Sequence, residues 1–267
     1  MTKIKDRRVL ITGGCSGIGK IMARKVLERG GSVVVWDINQ QSIDATVKEF
    51  STIGQIAGFK ADIASKESVE AAAQATEQTV GTIDILINNA GVVVGKSFAE
   101  HTYTDMERSI SINTLGAMYV THRLLGSISK STAGHICNIA SSAAMVGNPN
   151  MSIYAASKWA VVGWSDSLRI ELAKAKSHVR VTTIMPYYIN TGMFDGVRSR
   201  IPILKPEKAA ETIIRSIERN TKLRTLPRYL YTLTRTLQAL CSVTLFDFFA
   251  SKVFGIYNSM DDFKGRK

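Results

Sequence analysis

The sequence predicts an α/β chain built on a doubly wound parallel sheet of about seven strands, with helices on both faces. Three observations predict it. Short β-rich runs alternate with longer helix-like segments through most of the 267 residues. Several runs are almost wholly apolar, such as Val33-Val-Val-Trp36 and Ile83-Asp-Ile-Leu-Ile87, as strands buried on both faces must be. A glycine-rich turn, Thr12-Gly-Gly-Cys-Ser-Gly-Ile-Gly19, closes the first run and opens the first helix.

Taken in order, the strands are Val9–Thr12, Ser32–Asp37, Gln55–Asp62, Ile83–Asn88, His135–Ser141 and Val179–Pro186, with a weaker one at Leu223–Leu226. Helices are expected near residues 17–29, 40–52, 65–79, 104–130, 152–175 and 207–219. This repeated alternation implies parallel strands joined by right-handed crossovers. The long segments 104–130 and 152–175 could pack against a neighbouring subunit, so a homodimer or homotetramer is expected. No Pro/Gly/Ser-rich linker or internal repeat divides the chain, which reads as one domain over residues 1–267, with a substrate lid and helical extension within 187–267.

The composition, 45% hydrophobic and 21% charged, belongs to an ordinary globular protein and excludes disordered or collagenous chains. Cys15, Cys137 and Cys241 are odd in number and lack metal-ligand or redox-motif spacing, so a disulfide scaffold is excluded and a reducing, cytoplasmic home is expected. The four histidines show no metal spacing, and no metal is expected. The net charge of +12 favours anionic partners. Of that excess, +7 lies between Arg198 and Arg235. Overlapping the end of that segment, apolar residues at 226, 230, 233, 237, 240, 241 and 245 form a helical stripe, with Arg228 and Arg235 off it. That stripe reads either as a helix on the substrate cleft or a subunit neighbour, or as a basic amphipathic surface on anionic lipid. No nucleic-acid motif is present. The first strand starts near residue 8, which leaves no room for an N-terminal anchor, and no apolar stretch approaches the length of a bilayer span.

The glycine-rich turn lets backbone come close to a diphosphate, with the helix N-terminus presenting N–H groups to the anion: Gly13, Cys15, Ser16, Gly17, Ile18 and Gly19. Cys15 reads either as a low-pKa thiol beside phosphate or as a small loop residue. Asp37 ends the second strand, 24 positions after Gly13, where a carboxylate can accept both hydroxyls of an adenosine ribose. Ser16 and Ile38 offer no cation to a 2′-phosphate, so NAD is read over NADP. Lys158 follows Tyr154 by four positions, one turn along the same helix face. A fixed ammonium there would lower the phenol toward the working pH of a general base. Alone, such a pair would be read as an amphipathic surface pair.

The spacing Gly13-x3-Gly17-x-Gly19, Asn88-Asn-Ala-Gly91 and Tyr154-x3-Lys158 resembles the short-chain dehydrogenase/reductase family, over residues 8–195. The resemblance implies a Rossmann-type fold, with Tyr154 as acid/base, Lys158 as its activator and ribose clamp, and Ser141 as positioner of the substrate oxygen. Ser142 is the neighbouring candidate. It also implies Asn113 as anchor of a proton-relay water, the alternative being an Asn that merely caps or kinks its helix. Asp62 and Ile63 would meet the adenine, and Asn89, Ala90 and Gly91 would line the cofactor groove. Pro186, Ile189 and Thr191 would cover the nicotinamide. Tyr187 replaces the glycine most relatives carry there, and Ser259-Met-Asp-Asp-Phe-Lys-Gly-Arg266 with Thr191-Gly-Met-Phe194 resembles the retinol and 17β-hydroxysteroid dehydrogenase branch. The expected activity is NAD(H)-dependent interconversion of an apolar alcohol with its carbonyl. The alternatives are a nucleotide-responsive binding protein without turnover, whose mark would be a lost Tyr or Lys, and a reductase of other small carbonyl substrates.

Overall fold

The computed structural model describes residues 1–265; Arg266 of the C-terminal motif lies outside the described residues. Seven strands, β1 (Arg8–Thr12), β2 (Ser32–Asp37), β3 (Ile56–Lys60), β4 (Ile85–Asn88), β5 (His135–Ile139), β6 (Arg180–Pro186) and β7 (Leu223–Leu226), form one parallel sheet. Their order is β3-β2-β1-β4-β5-β6-β7. The helices are α1 (Gly17–Leu27), α2 (Gln40–Phe50), α3 (Lys66–Thr79), α4 (Tyr103–Ile110), α5 (Ala117–Lys130), α6 (Ser152–Lys174), α7 (Pro206–Glu218), α8 (Tyr229–Leu240) and α9 (Val243–Phe248).

Successive side chains of a strand leave opposite faces, so each strand feeds two cores. Val9 and Ile11 of β1, with Val33 and Val35 of β2, pack against α1, α2 and α7 through Met22, Ile43 and Ile213. Leu10, Val34 and Trp36 face the other way, onto α3 and α5 through Val69, Ala72, Val120 and Leu124. Helix starts follow local chemistry. Asn39 and Ser65 accept the Ser42 and Ser68 N–H groups at 2.9 and 3.1 Å. Pro206 opens α7, where a missing N–H costs nothing. The connection reverses direction between β1 and β4, and this switch point leaves a crevice at the carboxyl ends of the strands.

Three expectations about elements are corrected. The segment 104–130 is not one regular helix: a π-helical turn, Ser111–Gly116, lies between α4 and α5. The strand expected to reach Ser141 ends at Ile139, and Ser141 instead caps a short 3-10 turn by accepting the Ala143 N–H at 3.1 Å. The stripe over 226–245 is broken, because Cys241 is extended and Ser242 caps a new helix by accepting the Leu245 N–H at 3.3 Å. Among the described residues, no helix is long and apolar enough to cross a membrane.

Candidate active site

The glycine turn after β1 exists because two of its residues adopt conformations that side chains resist. Gly13 and Gly17 have φ of +62° and +51°. Gly19 sits under the turn, where a Cβ would lie 2.1 Å from the Gly13 carbonyl oxygen. Thr12, at the end of β1, holds this turn to the loop after β4. Its hydroxyl accepts the N–H groups of Asn89 and Ala90 at 3.0 and 3.1 Å, while the Asn89 amide donates to the Thr12 and Gly13 carbonyls at 2.9 and 3.2 Å. Sequence reasoning missed this use of Thr12; its signal is a buried hydroxyl at the strand end beside the switch point. Asp37 ends β2 and accepts the Cys15 N–H at 3.2 Å and the Asn39 N–H at 3.3 Å.

A single cavity of about 350 Å³ runs from this turn across the carboxyl ends of the strands. Gly13, Ser16, Gly17, Ile18, Asp37, Asp62, Ile63, Asn89, Ala90 and Gly91 line one end; Ser141, Tyr154, Lys158, Pro186, Ile189 and Thr191 line the other. Cys15, Gly19 and Asn113 do not line it. Of the two readings of Cys15, the structure fits the small loop residue and not the low-pKa thiol: its side chain packs into the core, and burial together with the nearby Asp37 carboxylate pushes the thiol up to about 12.

Tyr154 and Lys158 leave the same buried face of α6. The Lys158 ammonium lies 5.8 Å from the centre of the Tyr154 ring and donates to the Ile139 carbonyl at 3.0 Å. Burial pushes the Tyr154 phenol up to about 12, partly opposed by a hydrogen bond with Ser141. Burial also pulls Lys158 down to about 8. The expected lowering of the phenol is therefore corrected for the free protein: desolvation dominates at both groups, raising the phenol and lowering the ammonium. Gly91 makes room for this group. A Cβ there would lie 3.0 Å from Asn113 Oδ1 and 3.5 Å from Lys158 Nζ.

Asn113 stands on the π turn, and the extra residue of that turn aims its amide inward. Its oxygen accepts the Val92 N–H at 2.8 Å; its nitrogen donates to the Val92 carbonyl at 2.9 Å and to the Ser157 hydroxyl at 3.0 Å. The residue thus locks the loop after β4 to α6 beside Lys158.

The remaining wall is apolar and aromatic. Tyr154, Phe194, Tyr188 and Tyr187 form a ladder with ring centres 6.0, 5.0 and 4.6 Å apart. Tyr187, standing where a glycine was expected, is buried and bonds Ser199 at 2.8 Å. The Tyr188 hydroxyl meets the Ser259 hydroxyl at 2.9 Å, and the Asn148 amide bridges the two at 3.1 and 3.0 Å. This fastens the C-terminal segment over the cleft. Gln238 on α8 donates to the Met145 carbonyl at 2.7 Å, so Leu230 and Thr234 close the far end.

A family model described as short chain dehydrogenase matches residues 7–202. This chain belongs to the short-chain dehydrogenase family. Among its relatives, it is 34% identical over 230 residues to the epidermal retinol dehydrogenase 2 of Mus musculus, covering 84% of this chain and 74% of that protein. It is 33% identical over 273 aligned residues to the short-chain dehydrogenase/reductase 3 of Homo sapiens, covering 99% and 89%. A short-chain dehydrogenase/reductase from Burkholderia phymatum, solved in complex with NAD, superimposes with a TM-score of 0.81 at 24% identity, covering 88% of this chain and 94% of that one. An alcohol dehydrogenase from Thermococcus sibiricus, complexed with 5-hydroxy-NADP, does so at 0.73 with 22% identity, covering 82% and 95%. At these identities both structural matches speak for the fold of a short-chain dehydrogenase.

Proposed function

We propose that this chain is an NAD-dependent dehydrogenase that interconverts an apolar alcohol, of retinoid, steroid or long-chain lipid type, with its carbonyl compound. The observation that carries the reading is the convergence of Ser141, Tyr154 and Lys158 on one end of a cleft whose other end holds Asp37. The cleft fits a dinucleotide: the left-handed Gly13 and Gly17 keep the turn free of side chains, and Gly91 keeps backbone open beside Lys158. Gly13, Ser16, Gly17 and Ile18 would hold the diphosphate, Asp37 the adenosine ribose, and Asp62 and Ile63 the adenine. Asn89, Ala90 and Gly91 would floor the groove, and Pro186, Ile189 and Thr191 would flank the nicotinamide. When bound, that group supplies the hydride acceptor or donor that no side chain here provides.

Tyr154 takes the alcohol proton as the carbinol C–H bond breaks, and returns it in the reverse reaction. Ser141 holds the substrate oxygen against the phenol. Lys158 supplies a counter-charge: phenolate alone and ammonium alone are each costly in this dry cleft, and forming them together removes part of both penalties. Asn113, fixed to Val92 and Ser157, anchors the side of the cleft from which the proton leaves. The names of relatives, retinol dehydrogenases among them, support an apolar alcohol, as does the aromatic ladder beside Tyr154.

Asp37→Ala is expected to weaken NAD binding by roughly tenfold to a hundredfold, the loss of charge-assisted hydrogen bonds to two hydroxyls. NADP, whose 2′-phosphate the carboxylate repels, should lose little or gain. Calorimetric titration of both dinucleotides checks this, and equal losses contradict the ribose assignment.

The substrate reading is tested by following reduced nicotinamide while alcohols of increasing apolar length are offered. A small apolar chamber of about 30 Å³ continues the cleft past Val146 and Leu230 to Leu233, Leu237 and Phe254. Leu233→Trp should fill it and cost long substrates roughly tenfold or more in kcat/KM while sparing short ones. Absence of turnover with every alcohol would remove the proposed activity.

A further inference from the structure

The hairpin formed by α8 and α9 closes the apolar end of the cleft with one side and turns another to solvent. Leu240 is 80% exposed, Val243 78%, Phe248 55%, Val253 47% and Leu245 45%. Among the described residues, five of the fifteen exposed large hydrophobic side chains fall within residues 240–253. The interrupted stripe explains the concentration. Before the break at Cys241, Leu230, Leu233 and Leu237 line the apolar end of the cleft; across it that register is lost, so Phe246, Ala250 and Phe254 still line the chamber while Leu240, Val243, Leu245, Phe248 and Val253 face solvent.

The surroundings have a definite chemistry. The Arg235 guanidinium lies 5.7 Å from the Tyr231 ring centre and 6.0 Å from that of Trp159, both rings being exposed. Arg228 and Lys252 are exposed as well, and Arg200 donates to the Val253 carbonyl at 3.1 Å beside Lys252. From Arg219 to Met260 the chain carries six cations and one acid, Asp247, which accepts a hydrogen bond from the Tyr257 hydroxyl. An apolar tip, a Trp/Tyr/Arg cluster behind it and cations around it form the profile of an interfacial segment. A two-fold contact between copies would set this basic surface against itself.

We propose that the tip of this hairpin, Leu240 to Val253, inserts into the headgroup region of an anionic lipid bilayer, with Arg228, Arg235 and Lys252 on the lipid phosphates and carboxylates. The apolar end of the cleft lies behind the same two helices, so an apolar substrate reaches Tyr154 from the membrane side. The lipid contact itself does not depend on catalysis and is measured without it.

The test is flotation of the full chain with phosphatidylcholine vesicles made with and without phosphatidylserine, at low salt and at ~1 M salt, where screening acts over about 3 Å. Binding to the phosphatidylserine vesicles is expected, weakened by high salt. Arg228→Gln and Lys252→Gln should each lower the partition coefficient by roughly fivefold. The doubly substituted Leu240→Glu, Val243→Glu protein should lose at least about tenfold. Both positions are on the surface, so thermal melting should be unchanged. Three results would overturn the proposal: no binding to either vesicle; binding untouched by the glutamates; or a wild-type dimer that the glutamates convert to a monomer, which would make the tip a subunit contact.

Discussion

Tyr154→Phe is expected to keep the fold and dinucleotide binding and to lose on the order of a hundredfold to ten-thousandfold in kcat, the range of a positioned acid/base. The substitution removes one oxygen. The ring keeps its edge contact with Phe194, and the Ser141 hydroxyl still accepts the Ala143 N–H; the Ser141 O–H loses the Tyr154 oxygen as its acceptor, a cost of about 1–3 kcal/mol that leaves the fold in place. Turnover of the best alcohol found in the length series, read beside dinucleotide affinity for both proteins, checks it. A variant that keeps more than about a tenth of the wild-type rate would mean that another group moves the proton. Lys158 gives a second reading of the same site: Lys158→Met should lower kcat as well, because the phenol then faces its burial penalty without a counter-charge.

The second large effect concerns stability. His135 begins β5 in full burial, with Nε2 2.8 Å from the Thr182 hydroxyl and Nδ1 3.2 Å from that of Thr2. Burial, with a smaller contribution from the Arg180 charge, pulls its imidazole down to about 3. The unfolded chain, with an ordinary imidazole near 6.5, therefore binds more protons than the folded one between those values. Stability contributed by the neutral ring is whole above about pH 6.5 and is lost as pH falls, on the order of 2 kcal/mol by pH 5. His135→Gln should melt with a flatter dependence between pH 7 and pH 5, the carboxylates being common to both proteins. A ring resonance that titrates in the folded protein near pH 6.5 would contradict this, and the observation needs no variant.

The elements were legible where local pattern and tertiary environment agree. Parallel strands covered on both faces leave apolar runs, and β1, β2, β6 and β7 fall where those runs predict. The ends were less legible, since the hydrogen-bond partner that stops a strand is remote in sequence. Ala140 still donates to the Ile184 carbonyl at 2.8 Å, whereas Ser141 has turned to cap the next residues. The break at Cys241 was concealed because apolar positions kept helical spacing across it. The π turn was equally hidden: one extra residue per turn hardly disturbs a pattern read at every third or fourth position.

Within the site, the kinds of residue and their order along the chain could be read directly. Glycines at 13, 17 and 19, an acid at 37 and the pair at 154 and 158 each need a particular backbone or functional group, and such needs appear as residue identities. The arrangement of Thr12 around two loops could not be read, nor the Asn148–Tyr188–Ser259 fastening, because their partners come from distant segments. The sign of the Tyr154 and Cys15 shifts was decided by the tertiary structure alone. A spacing says which charges are neighbours, but whether attraction or lost hydration dominates depends on how much water the rest of the chain leaves around them.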